Sequence, residues 1–188
     1  LIMKQLESVR IIPVIAIDSA KDALPLADVL IDGGLPVAEI TFRTAAALDV
    51  IKTLAKERPQ MLVGAGTVLS IDSLEEAQAA GAKFGVAPGL NEKVVRRAAE
   101  LKWPFIPGVA TPTEIESAMF LGCKVLKFFP AGVFGGLKAL SAISGPYLHT
   151  GVRFVPTGGI NLENLQDYLT TKSVFAVGGT WLATKDDI

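Results

Sequence analysis

A lysine interrupts an apolar run that predicts a β-strand. Lys127 lies in the middle of residues 125–129, and since side chains alternate between the two faces of a strand, Val125, Lys127 and Phe129 share one face. If that face is buried, its surroundings disfavour the charged form of the amine, and a neutral amine is a nucleophile for carbonyl carbon. The alternative is a lysine that points outward and extends between covering helices. The sequence favours the nucleophile, because both faces of a parallel sheet are covered.

A carboxylate and a guanidinium occur in and just after a second apolar run, residues 37–42. Glu39, Thr41 and Arg43 share one face of this run. A carboxyl group within a buried strand should be paired or protonated, and such a group is suited to general acid/base catalysis near neutral pH. Arg43 could bind a carboxylate through two parallel hydrogen bonds. Two structural alternatives stay open: an ion pair between Glu39 and Arg43, and an exposed arginine that starts the next helix.

Short runs rich in Val, Ile and Phe alternate with helical stretches along the chain. The runs are mostly continuous, as expected of parallel strands covered by helices. Eight are predicted as strands, at residues 11–17, 37–42, 61–65, 84–87, 105–106, 125–129, 153–155 and 174–177. Eight βα units predict an α/β fold, a (β/α)8 TIM barrel that forms one domain over residues 1–188. The doubly wound alternative needs a G-x-G-x-x-G turn after the first strand, and residues 18–21 read Asp-Ser-Ala-Lys instead.

Capping residues predict where several helices begin. Thr111 and Glu114 have the spacing of a capping box, and Ser73 with a glutamate three residues later has the same spacing. Asn91 is predicted to cap a third helix and Thr44 to begin a fourth. Short loops between these helices and the strands should hold the strand ends in fixed positions.

Glycines follow three of the predicted strands. Gly158-Gly159 follows the seventh strand and Gly178-Gly179 the eighth, and barrels often bind phosphate at these two loops through backbone N–H groups. One glycine pair often marks only a turn, but two pairs at these positions predict a phosphate site. Thr67 ends the third strand beside a glycine that would let a ligand approach the backbone, or it is only a turn residue.

The composition sets further bounds. A net charge of −1, from 18 basic and 19 acidic side chains, gives no sign of a nucleic-acid partner or of a membrane surface. One cysteine, Cys123, suits a reducing cytoplasm. The one histidine, His149, is predicted to lie on the surface, so a His-rich metal site is not expected, and we predict no metal and no cofactor. Residues 183–188 resemble the start of another element, which predicts that a final helix is missing from the sequence.

Taken together, these residues stand in segments that strongly resemble the bacterial family of 2-keto-3-deoxy-6-phosphogluconate (KDPG) and 4-hydroxy-2-oxoglutarate (KHG) aldolases. The matching segments run in order over nearly the whole chain, at residues 12–15, 38–44, 64–69, 88–89, 106–108, 127–131, 156–160 and 178–182. The resemblance implies a class I aldolase, which forms a Schiff base with pyruvate and needs no metal. It also implies a homotrimer of (β/α)8 barrels.

The resemblance further implies a role for each matched residue. Lys127 matches the Schiff-base lysine and Glu39 the general acid/base. The residues predicted to bind the substrate, including the pyruvate carboxylate, are Arg43, Thr67, Phe129, Pro88 and Thr157. The residues that match the phosphate site are Gly158, Gly159, Gly179 and Thr180.

Two positions depart from the family pattern. Gly132 stands where the family commonly has an acidic residue, so no role is transferred to that position. Thr180 often appears as serine in relatives, and this departure is mild because either hydroxyl can donate to a phosphate.

The resulting hypothesis is reversible cleavage of KDPG to pyruvate and glyceraldehyde 3-phosphate, with KHG as a second substrate that yields pyruvate and glyoxylate. Two rival functions stay open. A phosphosugar isomerase or epimerase on the same barrel would use Glu39 and the glycine pairs without an imine. A non-catalytic phosphometabolite-binding protein would explain the glycine pairs but not the buried lysine. Borohydride trapping with pyruvate separates the aldolase from both, because only the aldolase forms a reducible imine.

Overall fold

A computed structural model describes residues 1–183 of the chain. Within them the strands are β1 Ile11–Ile15, β2 Val37–Thr41, β3 Leu62–Gly66, β4 Phe84–Val86, β5 Phe105–Ile106, β6 Gly108–Val109, β7 Val125–Phe128, β8 Arg153–Pro156 and β9 Val177–Gly179. The α-helices are α1 Ile2–Val9, α2 Ala23–Asp32, α3 Ala47–Glu57, α4 Ile71–Ala79, α5 Glu92–Glu100, α6 Pro112–Phe120, α7 Gly136–Ser144 and α8 Leu165–Thr170. Residues 184–188, on which the predicted final helix depends, lie outside the described residues.

The strands form a curled sheet in which every described pair is parallel. One group has the order β5-β4-β3-β2-β1-β9 and a second the order β6-β7-β8. Pro107 alone separates β5 from β6, and isolated parallel bridges join Phe154 to Val174 and Thr157 to Gly178. The predicted α/β class with a parallel, helix-covered sheet is confirmed.

Most predicted strands differ from the observed ones by one or two residues at an end. The last prediction, residues 174–177, is wrong in its position, because the ladder with β1 begins only at Val177 and extends to Gly179. The short strand β6 was not predicted. It forms because Gly108 and Val109 pair with Lys127 and Phe128 of β7. Both differences arise from pairing with strands distant in sequence, which a local apolar pattern does not specify.

Two of the four predicted helix starts are confirmed. The side chains of Thr111 and Glu114 form a reciprocal capping box at α6, and Asn91 caps α5. The box predicted from Ser73 is wrong, since α4 begins earlier and Ser70 is its cap, with Ser73 as the box partner. The start predicted at Thr44 is also wrong, because α3 begins at Ala47 while the Thr44 hydroxyl donates to the Ile17 carbonyl oxygen, 2.6 Å away.

Three apolar clusters hold the elements together. Two of them pack helices against the outer face of the sheet, one around β1–β3 and the other around β7 and β8. The third, here called the inner core, consists of Leu6, Ile12, Val37, Phe84, Val86, Ile106, Val155, Phe175 and Ala176. Leu6 belongs to helix α1 and is fully buried in this cluster. Helix α1 therefore covers the edge of the sheet from which the strands start. Among residues 1–183 no helix combines the length and the apolar character needed to cross a bilayer.

Candidate active site

A cavity of about 220 Å³ lies at the carboxyl ends of the strands. Its lining comes from most of the strands in turn, so that residues far apart in sequence meet there. The lining residues are Val14, Glu39, Thr41, Arg43, Thr67, Pro88, Lys127, Phe129, Thr157, Gly158 and Thr180. Two wider clefts, of about 580 and 370 Å³, open elsewhere, but the charged residues that line them are half-buried or exposed.

The centre of the cavity is a buried amine–carboxylate pair. The Nζ atom of Lys127 donates to Oε1 of Glu39 at 3.3 Å, and the two side chains are only 7% and 4% exposed. The residues lie on β7 and β2, in separate groups of the curled sheet, so the pair spans its interior. The predicted shared face of Lys127 with Val125 and Phe129 therefore points inward, and the outward-pointing alternative is wrong.

Glu39 does not form the ion pair with Arg43 that the sequence left open as an alternative. Glu39 pairs with Lys127, whereas Nε of Arg43 donates to Oγ1 of Thr41 at 3.2 Å. The chain turns just after β2, and this turn carries the guanidinium away from the carboxylate four residues earlier. Arg43 is exposed but lines the cavity, so its terminal nitrogens are available to an anion.

Glycines on β3 make room for the carboxylate. Gly66 is the last residue of β3, and a Cβ atom at this position would overlap Oε1 of Glu39. A Cβ atom at Gly64 would likewise overlap the ring of Phe84 in the inner core. The inner face of β3 is therefore bare backbone at Gly64 and Gly66, and the side chains of Phe84 and Glu39 fill the space above them.

The walls of the cavity combine an aromatic ring with a strained threonine. The Phe129 ring centroid lies 5.3 Å from Nζ of Lys127, a distance at which a ring face attracts a cation. Thr67 has φ 59°, in the left-handed region, which is a genuine outlier for a β-branched residue. Such a conformation costs on the order of 1–3 kcal/mol and is found mainly at functional sites.

The structure brings together part of the predicted phosphate site. Gly158 and Thr180 line the cavity. Gly159 adopts φ 79° in the exposed turn after β8, and the buried Gly179 makes room for the ring of Trp181; neither of these glycines is part of the cavity lining. Gly158 has φ 90°, so the turn after β8 needs glycine at both positions.

Gly132 lies against the same turn. Its backbone N–H donates to the Gly158 carbonyl oxygen at 2.8 Å, and a Cβ atom at Gly132 would lie 3.2 Å from Cα of Gly159. That distance is tight, so the chain after Pro130 packs closely on the turn that follows β8. Glycine at this position suits the close approach of the two loops.

Two lining residues were not predicted to belong to the site. Val14 closes the cavity from β1, and Thr41 stands between Glu39 and Arg43 on β2. Strand alternation already placed Thr41 on the face of Glu39 and was the available signal, whereas a valine in an apolar strand offers none. His149 is exposed, as predicted. Burial raises the pKa of the Cys123 thiol to about 11.

A parallel α/β sheet with a polar cavity at the carboxyl ends of its strands defines a class of proteins whose ligand sites lie at that edge. Within this class, the chain belongs to the KDPG and KHG aldolase family, because the sequence model of that family matches residues 2–188.

Curated relatives and solved structures agree with this assignment. The chain is 47% identical to 2-dehydro-3-deoxy-phosphogluconate aldolase of Haemophilus influenzae over 98% of this chain and 86% of the relative. It is also 47% identical to the KHG/KDPG aldolase of Escherichia coli K12, over 94% of this chain and 82% of the relative. Its fold matches that of KDPG aldolase from Legionella pneumophila with a TM-score of 0.94 and 38% identity, over 99% of this chain and 89% of that one. In that structure pyruvate is captured as a covalent carbinolamine intermediate.

Proposed function

We propose that this chain is a class I aldolase that cleaves KDPG reversibly to pyruvate and glyceraldehyde 3-phosphate and also accepts KHG. The observation that carries the proposal is the buried Lys127–Glu39 pair, with 3.3 Å between amine and carboxylate. The relatives named as 2-dehydro-3-deoxy-phosphogluconate and KHG/KDPG aldolases support the substrate class. The carbinolamine captured in the Legionella protein supports an amine nucleophile.

The first step frees the nucleophile. Glu39 accepts a proton from the Lys127 ammonium along their hydrogen bond, which leaves a neutral amine beside a neutral carboxyl group. The amine then attacks C2 of the substrate ketone to form a carbinolamine. Glu39 returns its proton to the carbinolamine hydroxyl, which leaves as water, so that a protonated imine forms and Glu39 is again a carboxylate.

The imine makes carbon–carbon cleavage possible. The C4 hydroxyl loses its proton to the Glu39 carboxylate through a water molecule, the C3–C4 bond breaks, and its electron pair moves into the imine to form an enamine. Glyceraldehyde 3-phosphate leaves, C3 is reprotonated, and hydrolysis of the imine releases pyruvate. General acid/base catalysis of this kind contributes about 10²–10⁴-fold in rate.

The remaining lining residues bind and orient the substrate. Arg43 holds the carboxylate of the pyruvate half through its terminal nitrogens, and the substrate lies against Thr67, Phe129, Pro88 and Thr157. The phosphate of KDPG is bound at the turns after β8 and β9, where Gly158, Gly159, Gly179 and Thr180 lie and where Gly158 and Thr180 face the cavity. No metal or cofactor is needed for these steps, since the imine is the electron sink.

Two features of the assembly belong to the same proposal. The sheet closes into a single-domain (β/α)8 barrel, which is supported by the proximity of β5 and β6 across Pro107 and by the Phe154–Val174 and Thr157–Gly178 bridges. The chain forms a homotrimer, as the family resemblance implies. Light scattering of the purified protein measures the trimer directly.

Borohydride trapping tests the reaction. The protein is incubated with pyruvate, reduced with borohydride, digested and analysed by mass spectrometry. We expect a reduced pyruvate adduct on Lys127, while exposed Lys124, three residues away, remains unmodified as an internal control. An adduct on Lys124 alone, or no adduct, would contradict the proposal. Comparison of kcat/KM for KDPG, its galactonate epimer and KHG then fixes the aldehyde half of the substrate.

A further inference from the structure

The hydroxyl of Thr41 connects Arg43 to the neighbouring strand. Thr41 is 2% exposed, and its Oγ1 donates to the carbonyl oxygen of Ile15 at 3.1 Å. The same oxygen accepts a hydrogen bond from Nε of Arg43 at 3.2 Å. A buried strand side chain thereby fixes one end of an exposed guanidinium.

The geometry of this contact follows from the hydroxyl group. A threonine hydroxyl has one hydrogen and two lone pairs. Because the Ile15 carbonyl can only accept, it takes the hydrogen and leaves a lone pair directed at Arg43. The β-branched side chain is restricted at χ1, and Thr41 is buried within β2, so the acceptor keeps a fixed direction.

A fixed acceptor matters because Arg43 is exposed. A free arginine side chain samples many rotamers, and holding it still for a ligand costs conformational entropy. The hydrogen bond to Thr41 restricts that motion before the ligand arrives. It also occupies the one N–H of Nε, which leaves Nη1 and Nη2 as the fork for a carboxylate.

We propose that Thr41 is a positioning residue for substrate binding. It orients Arg43 so that the two terminal nitrogens, and not Nε, bind the carboxylate of the pyruvate half. This inference rests on the proposed role of Arg43 and adds a residue to which no role in the reaction has been assigned. Thr41 acts through Arg43 and does not contact the reacting carbons.

Replacement of Thr41 by valine removes the acceptor and keeps the shape. We expect Thr41→Val to raise KM for KDPG about tenfold, the effect of losing one hydrogen bond to a charged group, with kcat within twofold of the parent. Such a pattern reports weaker binding that is equal in ground and transition states. Thr41→Ser, which retains the hydroxyl, should restore KM to within twofold. An unchanged KM in Thr41→Val, or a fall in kcat alone, would overturn the proposal.

Thr44 provides a matched control for the loss of a hydroxyl. Its Oγ1 donates to the Ile17 carbonyl oxygen at 2.6 Å, so Thr44→Val removes a contact of the same kind between the same two segments without touching Arg43. Thr44→Val should lower the Tm by a similar amount and leave KM unchanged. If both valine variants raise KM equally, the effect of Thr41 is structural and the proposal fails.

A double-mutant cycle with Arg43→Ala separates the inference from the function on which it rests. If Thr41 acts through Arg43, adding Thr41→Val to Arg43→Ala changes KM no further. An additional tenfold rise in the double variant would mean that Thr41 contacts the substrate directly, which contradicts positioning. If Arg43→Ala itself leaves KM unchanged, the proposed role of Arg43 fails, and this inference fails with it. Should Thr41→Val not fold, Thr41→Cys, a much weaker acceptor, replaces it with the same expectations.

Discussion

Two parts of the sheet interior use the same strands for different purposes. Val37 on β2 and Val155 on β8 belong to the inner core, whereas Glu39 and Thr157, each two positions nearer the carboxyl end, line the cavity. Each pair shares one face of its strand. All four residues are buried, so the difference between the two parts is chemical and not one of exposure.

The comparison shows how stability and reactivity are separated along a single strand. Apolar side chains next to α1 are stabilised by removal from water, and they pack without polar atoms that need partners. Two residues further on, the buried amine and carboxylate satisfy each other and remain available to a ligand. Buried charge is costly, so confining it to one end leaves the other end free to stabilise the fold.

The largest expected effect comes from the amine. Lys127→Met keeps a flexible apolar chain and removes the nucleophile, so we expect kcat/KM to fall by more than about 10⁴-fold, because imine formation is lost. A coupled lactate-dehydrogenase assay on KDPG measures this loss. Val125→Ala on the same face of β7 is the matched control and should keep kcat/KM within threefold. Comparable kcat/KM values in Lys127→Met and Val125→Ala would show that turnover depends no more on Lys127 than on its apolar neighbour.

Glu39→Gln tests the carboxylate with almost no change in shape. Glutamine cannot accept a proton from the C4 hydroxyl, so kcat should fall by about 10²–10⁴-fold. Prolonged incubation with pyruvate and borohydride should still label Lys127, since the amine is intact. A kcat within threefold of the parent would show that Glu39 is only a structural partner of Lys127.

A second nucleophile near β7 is expected to be much less reactive. Burial raises the pKa of Cys123 from 9.0 to about 11, so its thiolate fraction at pH 8 is lower by about a hundredfold, and alkylation should slow accordingly. The sign follows because burial disfavours the charged thiolate, and the rate should rise roughly tenfold per pH unit until the pH approaches 11. Iodoacetamide labelling, followed by mass spectrometry, is compared with labelling in urea. Equal rates in the folded and the unfolded chain would contradict burial of this thiol.

The smallest effect on turnover is expected in the inner core. Val37→Ala removes two methyl groups from a fully buried position and should lower the free energy of unfolding by about 2 kcal/mol. Since Val37 lies outside the cavity lining, kcat/KM at a temperature well below the Tm should change less than twofold. Urea denaturation gives the stability and the coupled assay gives the activity. A large loss of kcat/KM with an unchanged free energy of unfolding would mean that the inner core contributes to turnover as well as to stability.

The positions of the central residues could be predicted from the sequence because strand alternation is a local property. Lys127 and Glu39 interrupt apolar runs, and the strand period of two gives the faces that they share with their neighbours. The contact between Lys127 and Glu39 follows from the parallel arrangement of the strands, since the carboxyl ends of parallel strands lie at the same edge of a sheet.

Other features depend on distant partners and could not be predicted locally. Arg43 turns toward Thr41 because the chain bends after β2, so the alternative ion pair with Glu39, which the sequence left open, does not form. The apolar run at residues 174–177 resembles a strand throughout, yet its ladder with β1 is set by the Val177 N–H, which donates to the carbonyl oxygen of Arg10. Nothing in the sequence indicates the left-handed backbone conformation of Thr67, because a β-branched residue rarely adopts it.

The two bare glycines on β3 have a consequence for directed evolution of this scaffold. Any side chain at Gly64 or Gly66 would occupy space already filled by Phe84 or Glu39. A saturation library that varies these codons would therefore consist mostly of inactive or unfolded clones. Screening effort is better placed on Val14, Pro88 and Thr180, which line the same cavity.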